Sequence, residues 1–172
     1  SKMVFDRVQE KMMVPPKAKY GNKGFDFKGV FKCAYCGSTV IGEDKHKLLK
    51  NGEKRTYRYY HCTKQLDFNC PEPYIEEAEL TEQLISYIDF VEKKNKSTII
   101  LSKELKIGMQ KYSSIRNTVF ESLKILPTTL TFTEYAKNVL NEGNTNDKQE
   151  ITKALEQPLY IHNKSIYSSC LK

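Results

Sequence analysis

Residues 30–40 read VFKCAYCGSTV and place two cysteines three positions apart, with a glycine directly after the second. Two further cysteines follow, so that the four have the spacing C-x2-C-x25-C-x7-C. A C-x2-C turn lets two thiolates converge on one ion, and structural Zn²⁺ takes four such ligands in a tetrahedron. An Asn-Gly pair between the two cysteine pairs predicts a β-hairpin that brings the second pair back to the first. The spacing therefore predicts a small β-ribbon around one structural Zn²⁺, with the ligands Cys33, Cys36, Cys62 and Cys70.

Other uses of these thiols fit the sequence less well. A disulfide framework is typical of secreted domains, and no feature of the chain indicates secretion. A thioredoxin-like redox pair needs its C-x2-C at the start of a helix, whereas strand-like sequence follows here. Iron takes the same four-sulfur geometry, and the spacing does not distinguish it from zinc. His61 is interpreted as a bystander, because neighbours in a strand point to opposite faces, and Cys170 as a free thiol in the C-terminal tail.

Positive charge is concentrated in the N-terminal part of the chain. Residues 1–70 carry 15 Lys and Arg against 7 Asp and Glu (+8), and residues 71–172 carry 13 against 14 (−1). A basic surface attracts phosphate-rich partners, because neutralised phosphates release condensed counterions. No run is long and apolar enough for a membrane span, and the first residues lack the apolar core of a signal peptide. We therefore expect a cytoplasmic protein with no membrane partner.

The pattern of the whole chain predicts an α+β fold, with the small zinc β-ribbon followed by a mostly helical C-terminal part and a closing hairpin. Short β-branched or aromatic runs predict strands at residues 30–34, 39–47 and 54–63. Apolar residues recur at helical spacing in the segments 4–13, 75–94, 101–123, 131–143 and about 147–156. Thr131 and Glu134 form a capping box at the start of one of these helices. The last hairpin has Asn163 and Lys164 in its turn.

Residues 25–84 carry a further pattern. An aromatic residue and a glycine precede C-x2-C-G, a basic hairpin follows, and a Tyr-rich strand leads into Cys62, before Cys70 and an Ile-led acidic helix. This pattern resembles the zinc β-ribbon domain of the large serine recombinases, the integrases and transposases of phages and mobile elements. VFDRVQEKM resembles the last helix of the preceding recombinase domain, and residues 132–167 are similar to the C-terminal ends of some members.

The resemblance implies a division of the chain and a role. Residues 1–24 would be the end of the recombinase domain and a basic connector, 25–72 the zinc β-ribbon domain, and 73–172 a helical C-terminal region. In this family a resolvase-like domain carries the serine nucleophile, whereas the C-terminal domains recognise attachment-site DNA. Nothing here matches the catalytic domain, and Ser114 lacks any motif for activation. We expect a non-enzymatic, DNA-binding fragment of a serine recombinase.

Many members of that family insert a long coiled-coil hairpin that mediates subunit contacts. Here the apolar stripe from Leu101 to Leu123 covers only about three heptads and contains Gly108. It fits a short coiled-coil helix pair, with self-association in the full-length protein, or a packed core helix.

The resemblance makes the basic residues of the ribbon and its connector candidates for contact with double-stranded DNA. Lysines chiefly contact phosphates, whereas an arginine can read a guanine edge through two parallel hydrogen bonds. The candidates are Lys17, Lys19, Lys23, Lys45, Lys47, Lys50, Lys54, Arg55, Arg58 and Lys64. Two alternatives remain open at this point. One is a zinc-ribbon module of another nucleic-acid machine, and the other is a protein-interaction module that uses the tyrosines and helices.

Overall fold

The computed structural model describes residues 2–12, 24–94, 99–124, 129–155 and 158–168. Its elements in chain order are α1 (Lys2–Met12), β1 (Phe31–Cys33), β2 (Val40–Leu48), β3 (Lys54–Cys62), β4 (Ile75–Glu76), α2 (Glu77–Lys94), α3 (Lys103–Ser122), α4 (Phe132–Glu142), α5 (Thr145–Lys153), β5 (Leu159–His162) and β6 (Ser165–Ser168). The α+β class is confirmed. Within these ranges, no helix combines the length and hydrophobicity that a bilayer crossing requires. Cys170 and the connector lysines Lys17, Lys19 and Lys23 lie outside the described residues.

Strands β2 and β3 form the predicted antiparallel hairpin. The register runs from the pair Val40–Cys62 to the pair Leu48–Lys54. Gly52 in the turn has a φ of 83°, which glycine adopts without steric penalty. Because the strands are regular, alternate side chains lie on opposite faces of the hairpin.

Helix α2 begins later than the apolar pattern indicated. Ile75 is buried as expected, but it lies in the short strand β4, where it pairs with Tyr60 of β3. The helix then starts with Glu77 and Glu79 in its first turn, where carboxylates are favoured by the positive end of the helix dipole. Its buried stripe is Leu80, Leu84, Ile88 and Val91.

The closing hairpin of β5 and β6 is confirmed, but it joins a sheet with the start of the ribbon. Strand β1 pairs in parallel with β5, giving the order β1-β5-β6. The turn residues Asn163 and Lys164 have φ values of 47° and 64°, as a two-residue type I′ turn requires. Glu72 accepts hydrogen bonds from both of their backbone amides, at 2.9 and 3.0 Å. The C-terminal hairpin is thus tied to the segment that follows the last cysteine of the ribbon.

One hydrophobic cluster spans the ribbon and the helices. Phe27, Phe31 and Tyr60 of the ribbon part pack in the same cluster as Leu84 of α2 and Leu140 of α4. The predicted domain boundaries stay predictions, and the cluster crosses the one placed between residues 72 and 73. A ribbon that is too small for a core of its own gains one by packing on the helical part.

Helix α3 is packed at its N-terminal end and exposed farther along, and the predicted coiled-coil helix pair stays a prediction. Leu105 is buried at its N-terminal end, and Gly108 lies against the Tyr135 hydroxyl of α4, where a Cβ would overlap that oxygen. Farther along, Ile115 and Leu123 are 66% and 61% exposed. The first half of α3 is a packed helix, whereas the second half presents an apolar stripe to solvent. Helix α4 has the predicted capping box of Thr131 and Glu134.

Candidate metal centre and nucleic-acid interface

The four predicted ligands come together at one point. Their sulfur atoms all lie within 4.8 Å of one another, and the closest are the pairs Cys36–Cys62 at 3.4 Å and Cys33–Cys70 at 3.5 Å. A tetrahedral zinc site with Zn–S bonds of about 2.3 Å separates its sulfurs by about 3.8 Å. All four cysteines are free of disulfides. The donor set therefore fits one tetrahedral four-thiolate ion, with Cys33, Cys36, Cys62 and Cys70 as its ligands.

Two tight turns bring each pair of sulfurs to this point. After Cys33, Gly37 has a φ of 76° and donates its amide to the Cys33 carbonyl at 2.8 Å. After Cys62, Lys64 has a φ of 56° and its amide donates to the Cys62 sulfur at 3.2 Å. Backbone N–H groups aimed at sulfur favour the ionised thiolate. The predicted turn at Gly37 is present, whereas Lys64 has a role in the turn that the spacing did not indicate.

Ser38 is a further member of the centre that the cysteine spacing did not reveal. The side chain is only 3% exposed, and its hydroxyl lies 3.2 Å from the Cys36 sulfur. The same oxygen accepts a hydrogen bond from the Leu66 amide at 3.0 Å, which joins the two turns. When Cys36 is ionised, the hydroxyl can donate to the thiolate. A hydroxyl two residues after the second cysteine is the signal that could have identified it.

The ionisation of the thiols differs between partly exposed and buried positions. The Ser38 hydrogen bond is the main cause that lowers the pKa of Cys36 to about 6. Burial raises the pKa of Cys33 to about 12 and also raises that of Cys62. Buried thiols of this kind ionise when a cation compensates the negative charge. The centre thus fits a divalent ion held for structural purposes.

The histidines do not join this group among the described residues. His61 Nδ1 lies 3.0 Å from the Cys62 carbonyl oxygen, and its ring stacks on Tyr74 with the centroids 4.6 Å apart. His46 Nδ1 lies 2.9 Å from the Thr56 hydroxyl on the exposed part of the hairpin. These contacts agree with the bystander interpretation of His61, and His46 is an exposed residue of the hairpin.

The outer part of the hairpin, residues 45–57, is called the arm. Every side chain from 45 to 56 except Leu49 is exposed. The arm has five basic residues against one acid, Glu53, so its net charge is 5 − 1 = +4. Its basic residues are the predicted candidates Lys45, Lys47, Lys50, Lys54 and Arg55. The arm thus contains five of the ten predicted DNA contacts, which stay predictions.

Arg58 lies at the base of the arm and is held by internal contacts. Its Nε donates to Asp44 at 3.1 Å, and its Nη1 donates to Glu77 of α2 at 3.5 Å. Its guanidinium also lies over the Phe25 ring, 5.2 Å from the centroid. Although burial opposes the charge, these two carboxylates raise the pKa of Arg58. The geometry gives Arg58 the role of holding the hairpin on α2, and its predicted DNA contact stays a prediction.

Residues 27–89 match a family model described as "Recombinase zinc beta ribbon domain". Among curated protein sequences, none matches the chain.

The solved structures that are similar to the chain include the following two. One is described as "Sequence Requirements of the Listeria innocua prophage attP site" (19% identity over 98% of this chain and 53% of that chain, TM-score 0.46). The other is described as "Crystal Structure of a LSR-DNA Complex" (17% identity over 98% of this chain and 64% of that chain, TM-score 0.49). The chain therefore spans between half and two thirds of the length of these two chains.

Proposed function

We propose, since residues 27–89 match the family model of the recombinase zinc beta ribbon domain, that the chain is the DNA-binding C-terminal part of a serine site-specific recombinase. It would recognise attachment-site DNA in the cytoplasm, while a catalytic serine domain outside this chain cuts and rejoins the strands. The zinc ribbon is not itself a catalytic domain, so this chain would contribute DNA binding and not the catalytic serine.

The observation that carries the proposal is an exposed hairpin with a net charge of +4, fixed at its base by four converging cysteines. Cys33, Cys36, Cys62 and Cys70 would hold one Zn²⁺, which when bound supplies a structural cross-link and takes no part in the reaction. Each lysine of the arm that neutralises a phosphate releases counterions, so binding is expected to weaken steeply as salt rises. A rigid base keeps the entropy lost by the arm on binding small.

Duplex binding by the zinc-loaded full chain tests the proposal. A fluorescein-labelled duplex of mixed sequence reports affinity by anisotropy over a range of salt, and selection from a random duplex library reports sequence preference. We expect a linear fall of log K with log salt and one enriched sequence family. Binding to single strands in preference to duplex would indicate a different nucleic-acid machine. Salt-insensitive binding, or none, would contradict the proposal.

A second candidate function rests on the exposed half of α3. Ile115, Val119 and Leu123 lie at intervals of four on that helix and are all exposed. We propose self-association of the full-length protein through this stripe, because an apolar row at this spacing packs well against a second helix. Sedimentation of the full-length protein with Ile115→Lys tests it, and an unchanged oligomeric state would contradict it.

A further inference from the structure

The two faces of the arm have different chemistry. Because the register is regular, Lys45, Lys47, Arg55 and Tyr57 share one face, called the tyrosine face, which continues to Tyr59. The opposite face, called the core face, has His46, Leu48, Lys54 and Thr56 and continues to Tyr60 in the core. The net charge of the arm does not distinguish the two faces as partner surfaces. The side-chain pairs that face each other across the strands differ between them.

On the tyrosine face, Lys47 and Arg55 are directly opposite each other across the two strands. Like charges at facing positions of an antiparallel pair destabilise the sheet. Within the described residues, neither side chain makes a salt bridge. The Arg55 guanidinium instead lies 5.5 Å from the centroid of the Tyr57 ring. Apart from this ring contact, no carboxylate among the described residues offsets the two positive charges, which leaves them available to an anionic partner.

The corresponding pair on the core face is satisfied internally. His46 and Thr56 face each other and are joined by a 2.9 Å contact between Nδ1 and the hydroxyl. The next pair toward the base is Asp44 with Arg58, an ion pair of 3.1 Å. On the core face, these two pairs therefore hold the hairpin together, whereas the outermost pair, Leu48 with Lys54, is exposed.

The tyrosine face continues as a row of rings. Tyr57 and Tyr59 are stacked with the centroids 6.5 Å apart, and Lys45 Nζ lies 3.7 Å from the centroid of the Tyr74 ring. Two acids lie near this row: Glu43, which is 3.9 Å from Lys45 at the base of the arm, and Glu53 near the turn, whose carboxylate accepts a hydrogen bond from Asn51 at 2.9 Å. Within the described residues, neither acid forms a salt bridge with Lys47 or Arg55.

We propose that the tyrosine face of the arm is the surface that meets double-stranded DNA, with Arg55 directed to base edges, Lys47 to a phosphate, and the core face turned away. This inference rests on the proposed function and specifies which surface performs it. The major groove is about 12 Å wide and admits a two-stranded ribbon lying flat, which presents one face to the bases. The anionic duplex would supply the countercharge that the Lys47–Arg55 pair lacks. Tyr57 limits the positions open to the guanidinium, so less side-chain entropy is lost on contact.

Arg55 and Lys54 provide a matched test, because they are adjacent, both exposed, and on opposite faces. The variants Arg55→Ala and Lys54→Ala lower the net charge of the full chain by the same amount. Duplex affinity is measured by anisotropy at several salt concentrations, together with zinc content and circular dichroism. We expect Arg55→Ala to lose about tenfold or more in affinity and Lys54→Ala less than about threefold. Lys47→Ala should reduce the salt slope by about one unit.

The outcomes distinguish an error in the choice of face from an error in the proposed function. If the wild-type chain binds duplex DNA and Lys54→Ala loses as much as Arg55→Ala, the assignment of the face is wrong and the proposed function stands. If the wild-type chain binds no duplex, both fail. If Arg55→Ala reduces zinc content or helical signal, it is replaced by Arg55→Gln, which retains most of the side-chain length. The duplex affinity of Arg55→Gln is then compared with that of Lys54→Ala in the same way.

Discussion

Lys148 of α5 donates a hydrogen bond of 2.7 Å to the carboxylate of Asp26, which lies 122 positions earlier in the chain. Both side chains are nearly buried, with exposed fractions of 14% and 9%. The same carboxylate accepts a bond of 2.6 Å from the Thr145 hydroxyl. This pair links the start of the ribbon to helix α5, so we expect its removal to lower the free energy of unfolding.

Lys148→Met should destabilise the protein by about 2 kcal/mol, because it leaves the buried Asp26 carboxylate with the Thr145 hydroxyl but without its ion-pair partner. Urea unfolding followed by circular dichroism measures the change. Lys153→Met is the control on the same helix, since Lys153 makes only an exposed pair with Glu150. Equal effects of the two substitutions would show that the Asp26–Lys148 pair contributes no more to stability than an exposed ion pair.

The same pair predicts a dependence of stability on pH. Burial acts to raise the pKa of Asp26, but the hydrogen bonds of Lys148 and Thr145 and the nearby positive charges outweigh it, and the pKa is lowered from 3.8. A carboxyl with a depressed pKa stabilises the fold fully above its unfolded pKa, and this contribution is lost as pH falls through the folded value. The stability difference between wild type and Asp26→Asn should therefore be constant near neutral pH and shrink below about pH 4. A difference that grows on acidification would contradict the sign.

Cys62→Ala should abolish metal binding and unfold more than residues 29–70. Strand β1 ends at Cys33 and pairs with β5, and Glu72 holds the turn of the closing hairpin. Loss of the centre should thus increase amide hydrogen exchange in residues 159–168 as well as in the ribbon. Part of the helical signal should remain, because the α2–α4 packing does not involve the cysteines. Retention of stoichiometric zinc would refute the ligand assignment, and unchanged exchange in β5 would refute the coupling.

Ser38→Ala should weaken metal binding about tenfold or more, as loss of a hydrogen bond to a ligand commonly does. Competition with a chromogenic chelator measures the affinity, and the absorption of the cobalt-substituted protein reports the geometry of the sulfur ligands. Ser38→Thr restores the hydroxyl and should recover most of the affinity. If Ser38→Ala and wild type bind the metal with equal affinity, Ser38 only supports the turn at Leu66.

Local sequence patterns predicted much of this fold. The contacts between residues far apart in the chain were not predicted. The C-x2-C-G turn, the Asn-Gly hairpin and the Thr131 capping box each depend on residues a few positions apart, so their patterns are visible in the chain. The parallel pairing of β1 with β5 depends on tertiary packing, and no local periodicity encodes it. The facing pair Asp44–Arg58 follows from the register of the hairpin, which the resemblance that made Arg58 a candidate DNA contact did not take into account. Pairing across the strands therefore identifies the internal partners of a basic side chain, which the spacing of charges along the chain does not.

The facing pair of Lys47 and Arg55 should impair stability while it serves binding. Lys47→Gln or Arg55→Gln each removes the repulsion across the strands and should stabilise the hairpin by about 0.5 kcal/mol. The double substitution should add little beyond either single one, since the repulsion is already absent after the first. This non-additivity, measured in a double-mutant cycle by thermal unfolding, isolates the interaction between the two charges. High salt should reduce the gain, because the repulsion is between exposed charges. Strictly additive changes, or destabilisation by both single substitutions, would show that the pair is not repulsive and would remove the stability argument for an anionic partner at this position.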